Sequence, residues 1–406
     1  MKVLCVNSYV NAFGGAELSA LNLAYGLADR GHEVHFLADS STSSPTPAPL
    51  GAAVRFHYRE FRRPYAIGMK AGAVRKALWH LQDLADPSNT KIFGEVCRKI
   101  SPDIIILHAI DGIGLNIWRL IRNEGFPCIQ VLHDLAVICL NKSRYRAGRQ
   151  CLGLCLACRA QKTVRMAWLD GAENFSFVSP SLAVMREVER YADLSQWRRT
   201  IIPNPNNFLI RERSWSNEEK PRLLYVGRLE PLKGVDQMLR CIVQAHKKAL
   251  FDVDILGDGS VEQALRVAYS GATWIRFHGR VDQETIAKFM SEATALMVPS
   301  LWLENFPGVA VHALFAGLPV IASDIGGLPE IIDNGITGRL VPPSNEEAWI
   351  STIVSVVEDK SKIPIWSTAC LAAAQRFDAA RSLSEYERLM HEMVATPGKQ
   401  RPKRFA

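Results

Sequence analysis

Short apolar runs alternate with amphipathic stretches along the whole chain. The run Lys2–Asn7 is followed by Glu17–Arg30, where apolar side chains recur at helical spacing. The continuous apolar run Ile104–Leu107 is typical of a parallel strand that is buried on both faces. This alternation predicts an α/β protein built on parallel sheets.

The predicted strands fall into two groups, separated by the Pro- and Asn-rich stretch Ile202–Asn207. The first group comprises Lys2–Asn7, Glu33–Ala38, Asp103–Ala109, Cys128–Leu132 and Phe175–Ser179, and the second comprises Arg222–Val226, Asp252–Leu256, Trp274–His278, Ala295–Pro299 and Pro319–Ser323. We therefore predict two Rossmann-like, doubly wound domains over residues 1–205 and 206–375, with a ligand cleft between the carboxyl ends of their strands. Residues 376–397 are predicted to form a helix that packs towards the N-terminal domain, followed by a basic tail over residues 398–406.

Composition predicts a folded chain, and the apolar runs bear on the compartment in which the protein is expected. The 406 residues include 48% hydrophobic and 22% charged side chains, close to the average of globular proteins. The N-terminus lacks the pattern of a secretory signal peptide, and no apolar run reaches the roughly 18 residues of a membrane-spanning helix. We expect a cytoplasmic protein that meets a membrane, if at all, only from its surface. The formal charge of +7 is modest, and we expect no nucleic-acid partner.

Positive charge is concentrated between Arg55 and Trp79. Seven Lys or Arg residues there accompany a single acid, Glu60, and are interleaved with aromatic side chains. This mixture favours an anionic membrane surface, where cations meet headgroups and aromatic rings lie at headgroup depth. The alternatives are a basic groove for an acidic soluble glycan and an ordinary solvated face.

The segment Gly227–Gly234 combines two cations with the start of a helix. Arg228 offers a forked guanidinium, Lys233 offers a compact ammonium, and the helix adds free backbone N–H groups. These features suit a diphosphate. Taken alone, the two cations would more often belong to a solvated surface.

Two further segments follow predicted strands in the same half of the chain. Pro299–Gly308 places Glu304 in a turn, where a carboxylate can accept hydrogen bonds from sugar hydroxyls, although a helix-capping acid is the simpler alternative. Ser323–Glu330 contains Gly326 and Gly327, whose backbone can approach an anion closely, but paired glycines are also common in ordinary loops.

In their order and spacing, the three segments resemble those of the retaining glycosyltransferases of family 4, which have the GT-B fold of two facing Rossmann-like domains. The resemblance covers nearly the whole chain and is strongest from Arg222 to Pro343. It implies that Arg228 and Lys233 bind the donor diphosphate and that Glu304 contacts the transferred sugar. The other donor-binding residues implied in this half are Asn305, Phe306, Pro307, Gly308 and Gly327.

The N-terminal half resembles the family at two places. Gly14 and Gly15 lie where family members bring a glycine backbone against the donor phosphates and the acceptor, and they do not form the Gly-x-Gly-x-x-Gly pattern of nicotinamide-dependent enzymes. His133 resembles the family's histidine that faces the donor sugar. Without the resemblance, the glycines would be a tight turn before a helix, and the histidine would be structural.

One position departs from the family. The family's ribose-binding glutamate, eight residues after the first, is replaced by His312. An imidazole accepts fewer hydrogen bonds than a carboxylate, and it becomes a donor when it is protonated. We expect ribose binding that is weaker or reorganised, with a donor affinity that depends on pH near neutrality.

Four of the nine cysteines fall within a loop-like insertion over residues 139–158. Thiols at this spacing suit a tetrahedral structural zinc. Inert or redox-active thiols and an iron–sulfur cluster are the alternatives. The four candidate ligands are Cys139, Cys151, Cys155 and Cys158.

The resemblance implies an enzyme that moves a sugar from a nucleotide-diphosphate sugar to a glycan or lipid-linked acceptor, in the synthesis of cell-surface polysaccharide or glycoconjugate. It implies front-face transfer with retained configuration and no cofactor in the chemistry. Arg228 and Lys233 would neutralise the leaving diphosphate, while Glu304 and His133 would orient the sugar. The alternatives are a GT-B protein that binds a nucleotide sugar without turnover and a nucleotide-sugar epimerase.

Overall fold

A computed structural model describes residues 1–10, 14–40, 53–61, 78–80, 83, 87–114, 116–146, 148–214, 216 and 219–395. The chain divides into two compact units. The first unit comprises residues 1–143, 152–206 and the chain from Ala379 onward, and the second comprises residues 144–151 and 207–378. The last helix therefore belongs to the first unit, although it follows the second unit in sequence.

The first unit is built on a seven-stranded sheet in which all neighbouring strands are parallel. Its strands are Lys2–Val6 (β1), Glu33–Asp39 (β2), Val54–Arg59 (β3), Ile104–Leu107 (β4), Cys128–Val131 (β5), Phe175–Ser179 (β8) and Arg198–Ile201 (β9). They run in the order β3-β2-β1-β4-β5-β8-β9. Between β5 and β8, the chain forms a short antiparallel hairpin of Tyr145–Arg146 (β6) and Arg149–Gln150 (β7), which groups with the second unit.

The second unit has a six-stranded sheet, also with parallel neighbours throughout. Its strands are Arg222–Val226 (β10), Asp252–Leu256 (β11), Ile275–Gly279 (β12), Ala295–Val298 (β13), Val320–Ser323 (β14) and Gly338–Val341 (β15). They run in the order β12-β11-β10-β13-β14-β15. The chain therefore crosses over between β12 and β13, and this crossover places β13 directly beside β10.

Helices connect the strands in both units. Those of the first unit are Gly15–Asp29 (α1), Pro87–Ile100 (α2), Asn116–Glu124 (α3), Leu156–Leu169 (α4), Leu182–Glu189 (α5) and Ala379–Ala395 (α13). Those of the second unit are Val235–His246 (α6), Glu262–Ala268 (α7), Gln283–Glu292 (α8), Gly308–Phe315 (α9), Leu328–Ile331 (α10), Glu346–Glu358 (α11) and Ile363–Ala374 (α12). Within the described ranges, no helix is long and apolar enough to cross a membrane.

Each sheet carries its own hydrophobic core. In the first unit, Leu23 and Leu27 from α1 and Tyr386 from α13 pack on the apolar strands. In the second unit, Leu239 from α6 and Trp349 from α11 pack on β10 and β11. Strands buried in this way need apolar side chains along their whole length, which explains the continuous apolar runs of the sequence.

The α/β class and the predicted strands are confirmed, with strand ends that differ from the prediction by at most two residues. Five strands were missed, namely β3, β6, β7, β9 and β15. β3 alternates apolar with basic residues, β9 begins with two arginines, and both lie at the edges of their sheet, so their sequences lack the continuous apolar character of central strands.

The basic segment Arg55–Trp79 is described only in part, since residues 62–77 lie outside the described ranges. Its beginning belongs to β3, where Phe56 and Tyr58 stack with ring centroids 6.0 Å apart and pack against the core. Phe61 is buried. These rings are therefore engaged at least in part by protein contacts, and contact of the segment with a membrane stays a prediction.

Candidate active site

The loops after β10, β13 and β14 meet at one edge of the second sheet. These strands are parallel neighbours, so their carboxyl ends lie side by side. The loops are the three segments that the sequence singled out, namely Gly227–Gly234, Pro299–Gly308 and Ser323–Glu330. The fold therefore brings together residues that the sequence placed far apart.

Glu304 is a buried carboxylate at the centre of this edge. Its Oε1 atom accepts hydrogen bonds from Lys233 Nζ at 2.6 Å, Ser300 Oγ at 2.5 Å and Trp302 Nε1 at 2.9 Å. No hydrogen bond reaches its Oε2 atom from the described residues. The carboxylate is thus held in one orientation by three donors and keeps one oxygen for a further donor.

Lys233 joins the phosphate-binding segment to this carboxylate. Its ammonium group forms an ion pair with Glu304 and lies 5.3 Å from the centroid of the Trp302 ring, within the range of a cation–π contact. The Lys233 side chain is 21% exposed. An ammonium has three N–H donors, so Lys233 can keep Glu304 and still donate to another acceptor.

Close backbone contacts fix the three loops against one another. Gly234 has a φ of +72°, and a Cβ atom there would lie 2.0 Å from the carbonyl oxygen of Pro299. Gly326 has a φ of +62°, and a Cβ atom there would lie 2.2 Å from the carbonyl oxygen of Glu304. The same carbonyl accepts a hydrogen bond from Gly327 N at 2.8 Å. Only glycine fits these two positions, because a side chain would meet backbone atoms.

Arg228 differs from Lys233 in having a side chain that is exposed to solvent. The residue is exposed, and its guanidinium forms no hydrogen bond or ion pair with any described residue. Its backbone is fixed, because the Arg228 carbonyl accepts a hydrogen bond from the Tyr225 hydroxyl at 2.8 Å. A fixed backbone with an open guanidinium suits the binding of an anion from solution.

The loop after β11 also borders this edge, and the sequence interpretation missed it. Leu229 N donates to the carbonyl oxygen of Asp258 at 2.7 Å, and Glu230 accepts hydrogen bonds from Ser260 N at 3.2 Å and Ser260 Oγ at 2.6 Å. The signal was Gly257-Asp258-Gly259 directly after an apolar strand. Those contacts hold the Arg228 segment from its other side.

The residues after Glu304 form the start of α9. Asn305 and Phe306 are buried, Pro307 is the N-cap residue and Gly308 is the first helical residue. The Phe306 ring packs against Phe377 at a centroid distance of 5.4 Å. The structure therefore places the Phe306 side chain in the core and leaves the Asn305 amide and the backbone groups as the polar elements of this turn.

His312 lies further along α9 and faces a segment of its own unit. Its Nε2 atom donates to the carbonyl oxygen of Leu209 at 2.9 Å, and its ring stacks on Phe208 at 4.6 Å. Burial lowers the pKa of His312, with the Leu209 hydrogen bond acting in the opposite direction. The ring is therefore neutral near pH 7, so any pH response lies on the acid side of neutrality. A role at the ribose stays a prediction.

In the first unit, Gly14 and Gly15 stand at the start of α1. Gly14 is the extended N-cap residue, and its carbonyl oxygen accepts a hydrogen bond from Leu18 N at 3.3 Å. This arrangement fits the start of a helix after β1. Contact with a donor or an acceptor stays a prediction for both glycines.

His133 follows β5 and pairs with a second histidine that the sequence interpretation missed. His133 Nε2 and His108 Nδ1 are 2.8 Å apart, and the two rings stack with centroids 5.1 Å apart. His108 is buried, and its Nε2 atom has no partner among the described residues. A buried N–H without an acceptor is costlier than a bare lone pair, so we assign the proton of His108 to Nδ1. His133 then accepts at Nε2 and carries its own proton on Nδ1.

Burial holds both rings neutral. It lowers the pKa of His133 to about 4. It also lowers the pKa of His108, to which the neighbouring His133 ring makes a further contribution. The pair lines a small cavity of about 30 Å³ in the first unit, together with Asp111, Asp134 and Arg165. His133 is therefore a neutral hydrogen-bonding group in a polar cavity.

The charged lining residues Asp111, Asp134 and Arg165 interact with two further charged residues, Asp83 and Lys142. Lys142 Nζ forms an ion pair with Asp111 at 2.6 Å. Burial raises the pKa of Asp83 to about 7 and that of Asp134 to about 6, and it lowers that of Arg165 to about 10. These residues are distant in sequence and carry no shared motif, so no local pattern indicated the group.

No disulfide joins the four clustered cysteines to a described residue, and three of them lie in the first unit. Cys155 is exposed at the N-cap of α4, and Cys158 is buried one turn later. Cys158 Sγ accepts a hydrogen bond from Leu140 N at 3.5 Å. In the described part of the chain, no three His, Cys, Asp or Glu side chains form a group that could hold a metal. Zinc stays a prediction.

Comparison with known proteins identifies the family. Sequence profiles described as Glycosyl transferases group 1 and Glycosyltransferase Family 4 match residues 220–359 and 13–207. A phosphatidyl-myo-inositol mannosyltransferase of Mycobacterium leprae is 32% identical over 392 residues, which are 95% of this chain and 94% of that protein.

Solved structures identify the fold. Sucrose-phosphate synthase from Thermosynechococcus elongatus matches with a TM-score of 0.78 at 20% identity, over 97% of this chain and 99% of that one. HepE from Anabaena, solved in complex with UDP and glucose, matches with a TM-score of 0.71 at 17% identity, over 97% and 100%. The predicted GT-B fold is confirmed, and the chain belongs to glycosyltransferase family 4, the glycosyl transferases of group 1.

Proposed function

We propose that the chain is a retaining glycosyltransferase that moves a sugar from a nucleotide-diphosphate sugar to a glycan or lipid-linked acceptor. The observation that carries the proposal is the buried carboxylate of Glu304, which three donors hold at the same sheet edge as the loop that carries the exposed guanidinium of Arg228. A fixed acceptor for hydroxyls and an open cation for phosphate are the two groups that a sugar diphosphate requires.

The sugar is assigned to Glu304. Its Oε1 atom is saturated by protein donors, which leaves Oε2 to accept hydrogen bonds from sugar hydroxyls. Because the carboxylate is already oriented, binding a sugar costs little further ordering. Such a group holds the ring in place while the anomeric carbon reacts.

The diphosphate is assigned to Arg228 and Lys233. Charge on the leaving diphosphate grows as the glycosidic bond breaks, so fixed cations stabilise the transition state more than the ground state. Backbone N–H groups at the start of α9 and α10 can add to this stabilisation, since a helix N-terminus attracts anions. We propose that these groups carry the charge without a divalent ion.

The stereochemical outcome that we propose is retention. No protein nucleophile is assigned, and the acceptor hydroxyl attacks on the face from which the diphosphate leaves. The leaving phosphate oxygen would take the proton of that hydroxyl, so no separate base is required. Retention is read directly by NMR, from the anomeric configuration of the product compared with that of the donor.

Donor binding and turnover test the function. The full chain would be screened against nucleotide sugars for a rise in melting temperature, starting with UDP-sugars because HepE was solved with UDP and glucose. A donor that stabilises the fold would then be incubated with acceptors, and release of nucleoside diphosphate would be measured. Glu304→Gln should lose release, and the control Glu346→Gln, on the exposed start of α11, should keep it.

Three outcomes separate the alternatives. Acceptor-dependent release of nucleoside diphosphate supports the transferase. Tight donor binding without release under any condition assigns the chain to the binding proteins, and conversion of free donor to a stereoisomer assigns it to the epimerases. Either of the last two results contradicts the proposal.

We also propose that the acceptor belongs to cell-surface polysaccharide or glycoconjugate synthesis on the cytoplasmic side of a membrane. The support is the relative from Mycobacterium leprae, whose name gives a phosphatidyl-inositol lipid as its acceptor. A labelled donor incubated with membranes and the enzyme should leave label in the lipid or polysaccharide fraction. Label found only in small soluble products would contradict this assignment.

A further inference from the structure

The histidine pair that follows β4 and β5 contains a nitrogen that the fold leaves unused. His108 Nδ1 and His133 Nε2 are 2.8 Å apart, whereas His108 Nε2 is fully buried and has no partner among the described residues. Burying a polar nitrogen without a hydrogen bond destabilises a protein. Within the described part of the chain, the contact with His133 is therefore the one polar interaction of the His108 ring.

The same sheet contains a second histidine pair of nearly equal geometry. On β2 and β3, His35 Nδ1 and His57 Nε2 are also 2.8 Å apart, and the ring planes lie 22° from parallel, against 21° for the first pair. Here the other nitrogen is satisfied, because His35 Nε2 contacts the Glu33 carboxylate at 3.1 Å. A carboxylate accepts, so it keeps a proton on His35 Nε2, and the Nδ1 atom of a neutral His35 then accepts from His57. The surroundings of each pair thus decide which ring donates.

The backbone of His108 is held by both neighbouring strands. His108 N donates to the carbonyl oxygen of Val6 at 2.9 Å, and the His108 carbonyl oxygen accepts a hydrogen bond from Gln130 Nε2 at 3.0 Å. Gln130 is fixed in turn, because its Oε1 atom accepts a hydrogen bond from Trp118 Nε1 at 3.1 Å. All four residues are buried. The His108 ring therefore meets His133 from a rigid support.

The direction of this hydrogen bond leaves His133 with one N–H for a ligand. With the His108 proton on Nδ1, the bond runs from His108 to His133 Nε2, and a neutral His133 then carries its proton on Nδ1. The Nδ1 atom of His133 is not fully buried and forms no hydrogen bond with a described residue. The carboxyl edge of the first sheet therefore offers a ligand an N–H, where the other tautomer would offer a lone pair.

We propose that His108 is a positioning residue that holds His133 in its Nδ1–H form, so that His133 donates a hydrogen bond to an oxygen of the donor sugar. This rests on the proposed transfer reaction and on the predicted contact of His133 with the sugar. His108 itself does not touch the sugar. It acts as the groups behind metal-ligating histidines do, by selecting the tautomer and orientation of the ring in front of it. Without it, His133 could offer either an N–H or a lone pair, and the sugar would be aligned less well.

A packing role alone does not explain the imidazole, because an apolar side chain would bury no unpaired nitrogen at this position. Two variants of equal size separate packing from hydrogen bonding. Asparagine carries its amide nitrogen where histidine carries Nδ1, so His108→Asn can still donate to His133 Nε2. His108→Leu has the size of asparagine but no donor. Both variants lose the same part of the ring, so a difference between them reports the donor, and unfolding curves would show that both are folded.

Nitrogen NMR of the full chain, labelled with ¹⁵N-histidine, reads the tautomer of His133 without any nucleotide sugar. Its signals are those that disappear in His133→Gln. At pH 7 we expect a protonated Nδ1 in the wild type and in His108→Asn, and a mixture of both tautomers in His108→Leu, because the selecting donor is gone. A wild-type His133 that is protonated on Nε2, or an unchanged tautomer in His108→Leu, would overturn the proposal whatever reaction the protein catalyses.

Release of nucleoside diphosphate in the presence of acceptor tests the link to transfer. His108→Leu should lower kcat/KM about 10- to 100-fold, as for the partners behind metal-ligating histidines, and mainly through kcat because alignment is lost. His108→Asn should recover most of this loss. The matched controls are His35→Asn and His35→Leu in the second pair, which should both keep the wild-type kcat/KM because that pair lies within β2 and β3, away from the ends of the strands.

The outcomes separate this proposal from the proposed function. Equal kcat/KM values for His108→Asn and His108→Leu would remove the positioning role and leave the transfer reaction intact. A wild type that releases no nucleoside diphosphate would contradict the transfer reaction. In that case the rise in melting temperature with a bound nucleotide sugar compares the two variants, and an equal rise in both would overturn the positioning role.

Discussion

Replacing Lys233 with methionine tests the ion pair on which the candidate site is built. Methionine keeps an unbranched apolar stem beside the Trp302 ring but removes the ammonium that contacts Glu304 at 2.6 Å. The carboxylate of Glu304 would keep its hydrogen bonds from Ser300 and Trp302 and lose its only charged partner among the described residues. Both stability and transfer should therefore fall.

The size of the stability effect follows from exposure. The Glu304 side chain is 6% exposed and that of Lys233 is 21% exposed, so the pair lies between a surface ion pair and a fully buried one. Surface pairs contribute about 0–1 kcal/mol, and removing one partner of a buried pair costs about 3–5 kcal/mol. We expect Lys233→Met to lower the free energy of unfolding by about 2 kcal/mol.

A double-mutant cycle isolates the interaction. Urea unfolding of Lys233→Met, Glu304→Gln and the double variant should give a coupling energy of about 1–3 kcal/mol. The reference cycle is Arg240→Met with Asp236→Asn, an exposed pair on α6 whose side chains are 51% and 61% exposed, and it should give at most about 0.5 kcal/mol. The value of kcat/KM for Lys233→Met should fall about 100- to 1000-fold.

The result that would refute this reasoning is a coupling energy for Lys233 and Glu304 no larger than that of the reference pair. Glu304 would then be held by its neutral donors alone. Unchanged kcat/KM in Lys233→Met would separately remove Lys233 from the proposed diphosphate site. The two measurements fail independently, because one reads folding and the other reads transfer.

Four further predictions follow from the other residues of the two units. Arg228→Ala should leave the unfolding curve unchanged, because the guanidinium has no partner among the described residues, and should lower kcat/KM about 100-fold; a wild-type rate would exclude the assigned role. His312→Glu should lower the melting temperature, because it sets a carboxylate against the Leu209 carbonyl oxygen, whereas His312→Gln should lower it less because its amide can still donate. The folded pKa of His133 is about 4, below the ordinary value of 6.5, so the unfolded chain binds the proton first as the pH falls. The free energy of unfolding should therefore decrease by up to about 3 kcal/mol as the pH drops from about 6.5 towards 4. His133→Gln should flatten this slope in unfolding curves recorded against pH. Metal analysis of protein purified without chelator should find one zinc per chain, and four titratable thiols with no zinc would show that the clustered cysteines are free.

Local pattern determined the elements and the candidate segments. Continuous apolar runs predicted the central strands, since a strand buried on both faces needs apolar side chains at every position. Glycines, cations and a carboxylate directly after those runs pointed to Gly227–Gly234 and Pro299–Gly308, because the ends of parallel strands carry ligand sites. These signals are short-range, and the sequence contains them in full.

Contacts between distant residues were decided by the tertiary structure alone. Lys233 and Glu304 are 71 residues apart, and they meet because β13 inserts beside β10, an order that no local pattern specifies. The pairing of His108 with His133 depends in the same way on β4 lying next to β5. The sequence predicted that Lys233 binds phosphate and that Glu304 contacts the sugar, but it did not predict the ion pair between them.

The same limit applies to the surfaces of the protein. Basic and aromatic residues alternate in β3 much as they would on a membrane-binding segment, and only packing on β2 shows that the rings face the core. In α4, the periodicity places Gln161 and Arg165 on one side and Leu156 and Val164 on another, but it does not say which side faces inward. Gln161 and Arg165 face inward, where both donate hydrogen bonds to the carbonyl oxygen of Ala136. That carbonyl belongs to another segment of the chain, so this contact can be seen only in the folded structure.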